Sequence, residues 1–96
     1  MNSEKNTSDF YDRLRAQLAE DANWPAPYLF KFIVPASLGK IAEIEAIFDG
    51  MNALLTTRDS SKGTYTSVSI KVTMVSPDAI VEKYLEVSKF EGVISL

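Results

Sequence analysis

The chain has 96 residues, of which 10 are Lys or Arg and 13 are Asp or Glu, and it contains neither His nor Cys. This is one domain's worth of chain, and 46 % apolar with 24 % charged residues is ordinary globular composition. Without Cys there is no disulfide framework and no thiolate nucleophile. Without His the commonest metal ligand and general base are missing. We therefore expect no enzyme, no cofactor and no metal site.

The net charge and the N-terminal sequence restrict the kinds of binding partner that we expect for this protein. A formal net charge of −3 argues against generic binding to a phosphate backbone. Residues 1–6 are polar and lack the apolar core of a secretory signal. No apolar run approaches the about 20 residues that a membrane span needs. We expect a cytoplasmic protein without a membrane partner.

Residues 1–23 are predicted to form an extension that contains one helix. Residues 1–6 are predicted to be a disordered tip, and Ser8 is a suitable N-cap. The helical spacing of three and four is carried by Phe10, Tyr11, Leu14 and Leu18. The helix is expected to end near residues 21–23, ahead of Pro25. Packing against the rest of the chain and docking onto a partner are both open for it.

A strand is predicted over residues 28–34, after a stiff proline-containing connector. One face of this strand carries Tyr28, Phe30, Phe32 and Val34, and the other carries Leu29, Lys31 and Ile33. Pro35 stops the strand, and Ser37 is a plausible N-cap for a second helix. The apolar stripe of that helix is Leu38, Ile41, Ile44, Phe48 and Met51. It should end near residues 49–50, before a strand at 53–58.

The second half of the chain begins with a turn at residues 60–63, where Gly63 suits a positive φ. Residues 64–75 alternate between apolar and polar side chains, which indicates an antiparallel strand covered on one side only. Ser76 and Pro77 then read as the N-cap and first residue of a third helix. Its buried side is predicted to be Ile80, Val81, Tyr84, Leu85 and Ser88. A short strand at 93–96 follows.

After the leading helix, this order of elements is the split βαβ, or ferredoxin-like, arrangement. It predicts an α+β sandwich over residues 24–96, with two helices on one face of a four-stranded antiparallel sheet and the extra N-terminal helix outside it. A single-layer core of this size is only marginally sufficient, which makes a homodimer unsurprising.

The alternation of side chains predicts a charge polarity. Lys31 and Lys71 both point to the uncovered side of the sheet if their strands are neighbours, and Arg58 and Lys62 lie at the turn. The acids lie mostly on the two helices, at Glu43, Glu45, Asp49, Asp78, Glu82 and Glu86. Because like charges on adjacent strands disfavour each other, an anion that sometimes sits there explains the cluster. A solvated face with flexible lysines is the alternative.

A distinctive segment, SSKGTYTSVSI, occupies residues 60–70. It closely resembles the signature of the YbeD-like family of small bacterial proteins, a domain of unknown function with a similar Ser-Lys-Gly-x-Tyr-x-Ser-Val-Ser segment. Two further features agree: Pro25 precedes an aromatic strand that contains Phe30-Lys31, and the chain ends in a short apolar strand. The resemblance covers about residues 24–96 and does not include the leading helix.

The resemblance implies a fold similar to the ACT domain. That ferredoxin-like module regulates metabolic enzymes by binding amino acids, and its copies pair side by side with ligand at the interface. Where its glycine-containing loop follows the first strand, this chain has Val34-Pro35-Ala36-Ser37. The family has no established activity, so the resemblance specifies the fold far more than the function.

The turn at residues 60–63 combines small residues, a glycine and a cation, which are elements of an anion nest. A plain hairpin turn is the alternative. The candidate ligand- or partner-binding residues are Lys31, Arg58, Ser60, Ser61, Lys62, Gly63, Tyr65, Ser67, Ser69 and Lys71. A Ser-Lys nucleophile pair on this strand is rejected, since a flat exposed strand has no pocket to desolvate the lysine.

These features favour a non-catalytic regulatory or adaptor domain that binds a small anionic metabolite or a protein partner. The alternative is a pure protein–protein interaction module acting through the N-terminal helix or a sheet edge. RNA binding is less favoured, because Phe30 and Phe32 are predicted to face the helices and leave Tyr65 as a poor stacking platform.

Overall fold

A computed structural model of the protein describes the backbone of residues 3–96 and the side chains from residue 9 onward. The elements are α1 Ser3–Asp21, β1 Ala26–Pro35, α2 Leu38–Ile47, β2 Leu54–Asp59, β3 Tyr65–Met74, α3 Pro77–Val87 and β4 Ile94–Ser95. The strands form one sheet in the order β2-β3-β1-β4, and every neighbouring pair is antiparallel. This confirms the predicted α+β, ferredoxin-like fold class.

The predicted start of the first helix was wrong. α1 begins at Ser3, so Ser8 lies inside the helix and does not cap it. The expected disordered tip is helical over residues 3–6, while residues 1–2 lie outside the described part of the chain. Glu4 and Lys5 are good helix formers, which lets the helix continue N-terminally past Ser8. The end of the helix at Asp21 agrees with the prediction.

Strand β1 is longer than predicted and includes two prolines. Pro27 pairs with Thr73 and Pro35 with Tyr65 in the register with β3. The backbone N–H of Leu96 donates to the carbonyl of Lys31 at 2.9 Å, so the backbone N–H and C=O of Lys31 point away from β3. Pro27 and Pro35 each lie four residues from Lys31, and backbone groups two or four residues apart on a strand face the same side, so their nitrogens also face away from β3. Neither proline removes a hydrogen bond from the β1–β3 ladder.

The core lies between the sheet and the helices. The buried strand residues alternate along two central strands: Phe30, Phe32 and Val34 on β1, and Val68, Ile70, Val72 and Met74 on β3. Phe30 is fully buried, with its ring centroid 4.9 Å from that of Phe48 and 5.1 Å from that of Tyr84. The period of two in the sequence thus identified the buried face correctly.

Both predicted helix caps are present. The Ser37 hydroxyl accepts from the backbone N–H of Lys40 at 3.4 Å, and the Ser76 hydroxyl accepts from that of Ala79 at 3.1 Å. The two helices are also tied to each other, because the Lys83 ammonium donates to the carbonyl of Ile47 at 2.8 Å. This bond satisfies a carbonyl in the last turn of α2.

The predicted apolar stripes need two corrections. Leu38 is 86 % exposed, because it is the first residue of α2 and precedes the turn that meets the sheet. On α3, Leu85 and Ser88 are exposed and Val87 is buried. At about 100° per residue, Val87 points within about 20° of the direction of Ile80, whereas Leu85 lies about 40° beyond Val81 and is turned toward solvent.

Helix α1 packs on α3 and extends the helix layer. Leu18 is buried, and the Arg15 guanidinium lies 2.9 Å from the carboxylate of Asp78 at the start of α3. The Trp24 indole N–H donates to the carbonyl of Leu18 at 3.0 Å, which fixes the chain leaving the helix. Within the part of the chain that the structure describes, the opposite face of the sheet therefore stays uncovered. Across residues 3–96, no helix combines the length and apolarity needed to cross a bilayer.

Candidate functional site

The uncovered face of the sheet, here called the open face, consists of the strand side chains that point away from the helices. The strand pairing arranges its central residues in three cross-strand rows. The rows are Arg58–Ser67–Ile33–Ile94, Thr56–Ser69–Lys31 and Leu54–Lys71–Leu29. Directly opposite residues in an antiparallel pair share a face, so these side chains are neighbours. The strand pairing thus brings together residues from all four strands.

Three cations lie on the open face, one in each row. Lys31, Arg58 and Lys71 are all exposed. Lys31 is directly opposite Ser69, and Lys71 follows two residues later on the same strand, which makes the two lysines diagonal neighbours. The Cα atoms of such a pair are separated by about 7–8 Å. Lys31 and Lys71 therefore lie on the same side of the sheet, and a small anion can reach both.

The described strands place no carboxylate among these cations. Asp59 is the single acid in the four strands, and it is paired with Thr66, whose side chain is buried on the helix side. The Thr66 hydroxyl donates to the Asp59 carboxylate at 3.0 Å. Among residues 9–96, the ion pairs involve Arg15 and Lys83 but none of the open-face cations. The positive charge on the open face is therefore not neutralised within the described chain.

The acidic residues lie on the other side of the molecule. Glu43 and Glu45 are exposed on α2, and Glu82 and Glu86 are exposed on α3. Lys83 lies 3.3 Å from Glu86, and Asp78 is bonded to Arg15 rather than to a neighbour on its own helix. The molecule thus has a basic sheet side and an acidic helix side.

The β2–β3 turn borders one end of the open face. The backbone N–H of Gly63 donates to the carbonyl of Ser60 at 2.9 Å, and Gly63 has a φ of +70°. The Ser60 hydroxyl accepts from the backbone N–H of Tyr65 at 3.2 Å. Ser60 therefore builds the turn with its side chain, whereas Ser61 and Lys62 are exposed at its tip.

A shallow depression of about 450 Å³ joins this turn to the open face. Its lining residues are Ile33, Arg58, Asp59, Ser60, Ser61, Tyr65 and Ser67. Five of them are among the predicted binding residues. The other five, Lys31, Lys62, Gly63, Ser69 and Lys71, are exposed or half-buried outside the depression, on the open face or in the turn. The predicted set thus forms a depression and an adjoining basic surface.

Apolar residues of this site were not among the predicted binding residues, although Leu29 and Ile33 were placed on the same face as Lys31. Ile33 lines the depression, and Leu29 and Leu54 are 53 % and 63 % exposed in the row of Lys71. Ile94 of β4 is also exposed, beside Ile33. The signal was present, since Leu29 and Ile33 alternate with the buried aromatics of β1. The face is a mixed surface of cations and aliphatic side chains.

The open face offers charged and hydroxyl groups for contact with a ligand. Ser69 and Lys71 are two residues apart on one strand, which separates their Cα atoms by about 7 Å, and both point into solvent rather than into a pocket. The Arg58 guanidinium offers a planar fork that suits a carboxylate or phosphate, and Ser67 and Ser69 add hydroxyl donors. These groups can hold an anion.

Fold and site together define a small ferredoxin-like α+β protein with a basic open sheet face. Residues 19–96 match the family model described as "Protein of unknown function (DUF493)". The chain is also 34 % identical over 83 residues to a UPF0250 protein of Shewanella piezotolerans (strain WP3 / JCM 13877), covering 83 % of this chain and 94 % of that relative. The chain therefore belongs to the DUF493 family, and the predicted YbeD-like resemblance is confirmed. No solved structure gives a match.

Proposed function

We propose that this protein is a non-catalytic regulatory or adaptor module whose open face binds a small anionic metabolite. The observation that carries the proposal is the cluster of Lys31, Arg58 and Lys71 on one uncovered face, without a carboxylate of the described strands among them. Charges of one sign on neighbouring strands repel each other, and a bound anion removes that repulsion. Family membership is compatible with this role and does not specify it.

The depression itself is lined by one cation, Arg58, and one acid, Asp59. The attraction for a metabolite with carboxylate or phosphate groups therefore depends also on Lys31 and Lys71, which lie outside the depression on the open face. A depression of about 450 Å³ lies within the about 300–1,000 Å³ typical of small-molecule sites. Its shallow form leaves much of a ligand in solvent, so we expect weak, charge-dependent affinity. Leu29, Leu54 and Ile33 provide apolar contact for the carbon skeleton beside the charged groups.

Binding can be tested by following backbone amide signals in an NMR titration with citrate and with tripolyphosphate, using glucose as the uncharged control. We expect shifts at Ser61, Ser67 and Ser69 with the anions and none with glucose. The variants Lys31→Gln, Arg58→Gln and Lys71→Gln should each weaken binding about tenfold, since each removes a charge-assisted contact.

Lys89→Gln is the matched control, because Lys89 is an exposed lysine just beyond α3, on the helix side. It should leave anion binding unchanged. If neither anion shifts the open-face amides, or if Lys89→Gln weakens binding as much as the three test variants, the proposed site is wrong.

A second candidate function is interaction with another protein, or with a second copy of this chain, through the edge of β2. The observation that favours it is that β2 pairs only with β3 in the described chain, which leaves its outer edge unpaired. Such an edge can accept an added strand. The backbone N–H of Ser60 donates to the carbonyl of Tyr65 across the β2–β3 pair, so the backbone N–H of Thr57, three residues before Ser60, faces outward. Thr57→Pro should therefore block strand addition and leave the β2–β3 hydrogen bonds intact. A partner whose binding survives this variant does not use this edge.

A further inference from the structure

Three tyrosines converge beside α1, away from the open face. Tyr11 of α1, Tyr28 of β1 and Tyr84 of α3 line a groove with Phe10, Leu14, Ser95 and Leu96. The groove has a volume of about 230 Å³ and is lined mainly by carbon atoms. It exists because α1 packs against α3 and closes one side of a gap between α3 and the end of β4.

The hydroxyls of Tyr28 and Tyr84 are bonded to each other at 2.8 Å. Two hydroxyl groups carry two hydrogens, and the bond between them uses one. Within the described residues, neither oxygen has a further hydrogen-bond partner. One O–H donor of the pair is therefore left for a ligand or for water.

The surroundings of this pair disfavour negative charge. Burial raises the pKa of the Tyr84 hydroxyl far above its usual range, and the hydrogen bond between the Tyr84 and Tyr28 hydroxyls and the nearby Tyr28 and Tyr11 side chains raise it further. Among the described residues that line the groove there is no Lys and no Arg. An anion would lose its hydration there without gaining a cation among these residues as partner.

We propose that the groove between α1, Tyr28 and Tyr84 binds a small uncharged molecule that has an apolar body and one hydrogen-bond acceptor, such as a ketone or a neutral ester. The apolar body contacts Phe10, Leu14 and Leu96, and the acceptor takes the free O–H of the tyrosine pair. A volume of about 230 Å³ is below the about 300–1,000 Å³ of drug-sized ligands, so the occupant is of fragment size.

Groove and open face recognise opposite chemistries. The open face is basic, polar and shallow, and the groove is apolar and contains a neutral donor. This second site does not depend on the anion proposal, and either can fail without the other.

Acetophenone, cumene and benzoate have similar size and differ in the acceptor and the charge, which makes them suitable probes for an amide NMR titration. We expect acetophenone to shift the amides of Tyr11, Leu14 and Ser95. Cumene, which lacks an acceptor, should bind about tenfold more weakly, the effect of one hydrogen bond in an apolar site. Benzoate should bind the groove more weakly than acetophenone, because its charge has no partner there.

The double variant Tyr28→Phe/Tyr84→Phe removes both hydroxyls and keeps both rings. Replacing both partners of a hydrogen bond by apolar groups of the same shape is nearly neutral for stability, so the fold should persist. In this variant acetophenone and cumene should bind equally. Thr73→Val is the control, since it removes an exposed hydroxyl on β3 that does not line the groove, and it should retain the tenfold preference.

If the double variant does not fold, the comparison of acetophenone with cumene on the wild-type protein still tests the proposal, because equal binding of the two probes there would overturn it. A wild-type protein that gives no shifts around the groove with acetophenone overturns the proposal. So does a preference for acetophenone that survives the loss of both hydroxyls.

Discussion

At the scale of single residues, the β2–β3 turn depends on Gly63. Its φ of +70° lies in the left-handed region, where any residue with a Cβ atom is strained. A Cβ added at Gly63 would have no heavy atom within 4 Å, so the strain comes from the backbone and not from a clash. The exposed Ser61 and Lys62 are held at the tip by this backbone geometry.

Replacing Gly63 by Ala should therefore lower the free energy of unfolding by about 1 kcal/mol, as measured by urea denaturation. Gly39→Ala is the matched control, since Gly39 lies in α2 and its added Cβ would meet the Ser37 hydroxyl at an ordinary 3.7 Å. That variant should be neutral or more stable by up to about 1 kcal/mol. Equal effects of the two substitutions would contradict the role assigned to the turn.

At the scale of elements, α1 is part of the packed helix layer. Leu18 is 7 % exposed and belongs to the same apolar cluster as Phe30 and Tyr84. The Arg15–Asp78 ion pair is largely exposed and adds little by comparison. The apolar contacts of Leu18, together with those of the partly buried Tyr11 and Leu14, therefore attach the helix.

We expect Leu18→Ala to destabilise the protein by about 2–3 kcal/mol, the usual cost of emptying a buried leucine site. Leu38→Ala removes the same atoms from a residue that is 86 % exposed, and its effect should stay within about 0.5 kcal/mol. Thermal and urea unfolding of both variants test this difference. A Leu18→Ala protein as stable as the Leu38→Ala protein would mean that α1 is not held as described.

At the scale of the whole molecule, charge is divided between two sides. The formal net charge of −3 hides a sheet side with three cations and a helix side with most of the acids. Because the sheet-side cations have no ionic partner among the described side chains, the free protein keeps their mutual repulsion. The anion proposal rests on this separation.

The double variant Lys31→Gln/Lys71→Gln should raise the free energy of unfolding by a few tenths of a kcal/mol at low ionic strength. The gain should disappear near about 0.5 M NaCl, where screening acts over a few Å. Unfolding in a buffer without multivalent anions measures it, with Lys89→Gln as the control. A double variant that is no more stable than the wild type at low salt would show that the lysines do not repel each other appreciably.

Much of the fold followed from local patterns. Alternation with a period of two separated Phe30 and Phe32 from Lys31, and the serines before α2 and α3 predicted both caps. The predicted start of α1 was wrong, because Ser8 resembles an N-cap but the residues before it also favour a helix. The predicted burial of Leu38 and Leu85 was wrong, because the face that a helix buries depends on where it meets the sheet.

For the candidate site, the local alternation of side chains predicted which residues share a face, whereas the surroundings of that face became visible in the packed molecule. Sidedness along a strand is a local property of the backbone, so Lys31 and Lys71 could be assigned from their neighbours alone. Other contacts join residues from different elements. The Thr66 hydroxyl donates to Asp59, Arg15 pairs with Asp78, and three tyrosines line one groove, Tyr11, Tyr28 and Tyr84. Those contacts are fixed by strand register and by the packing of α1 on α3, which no short stretch of sequence encodes.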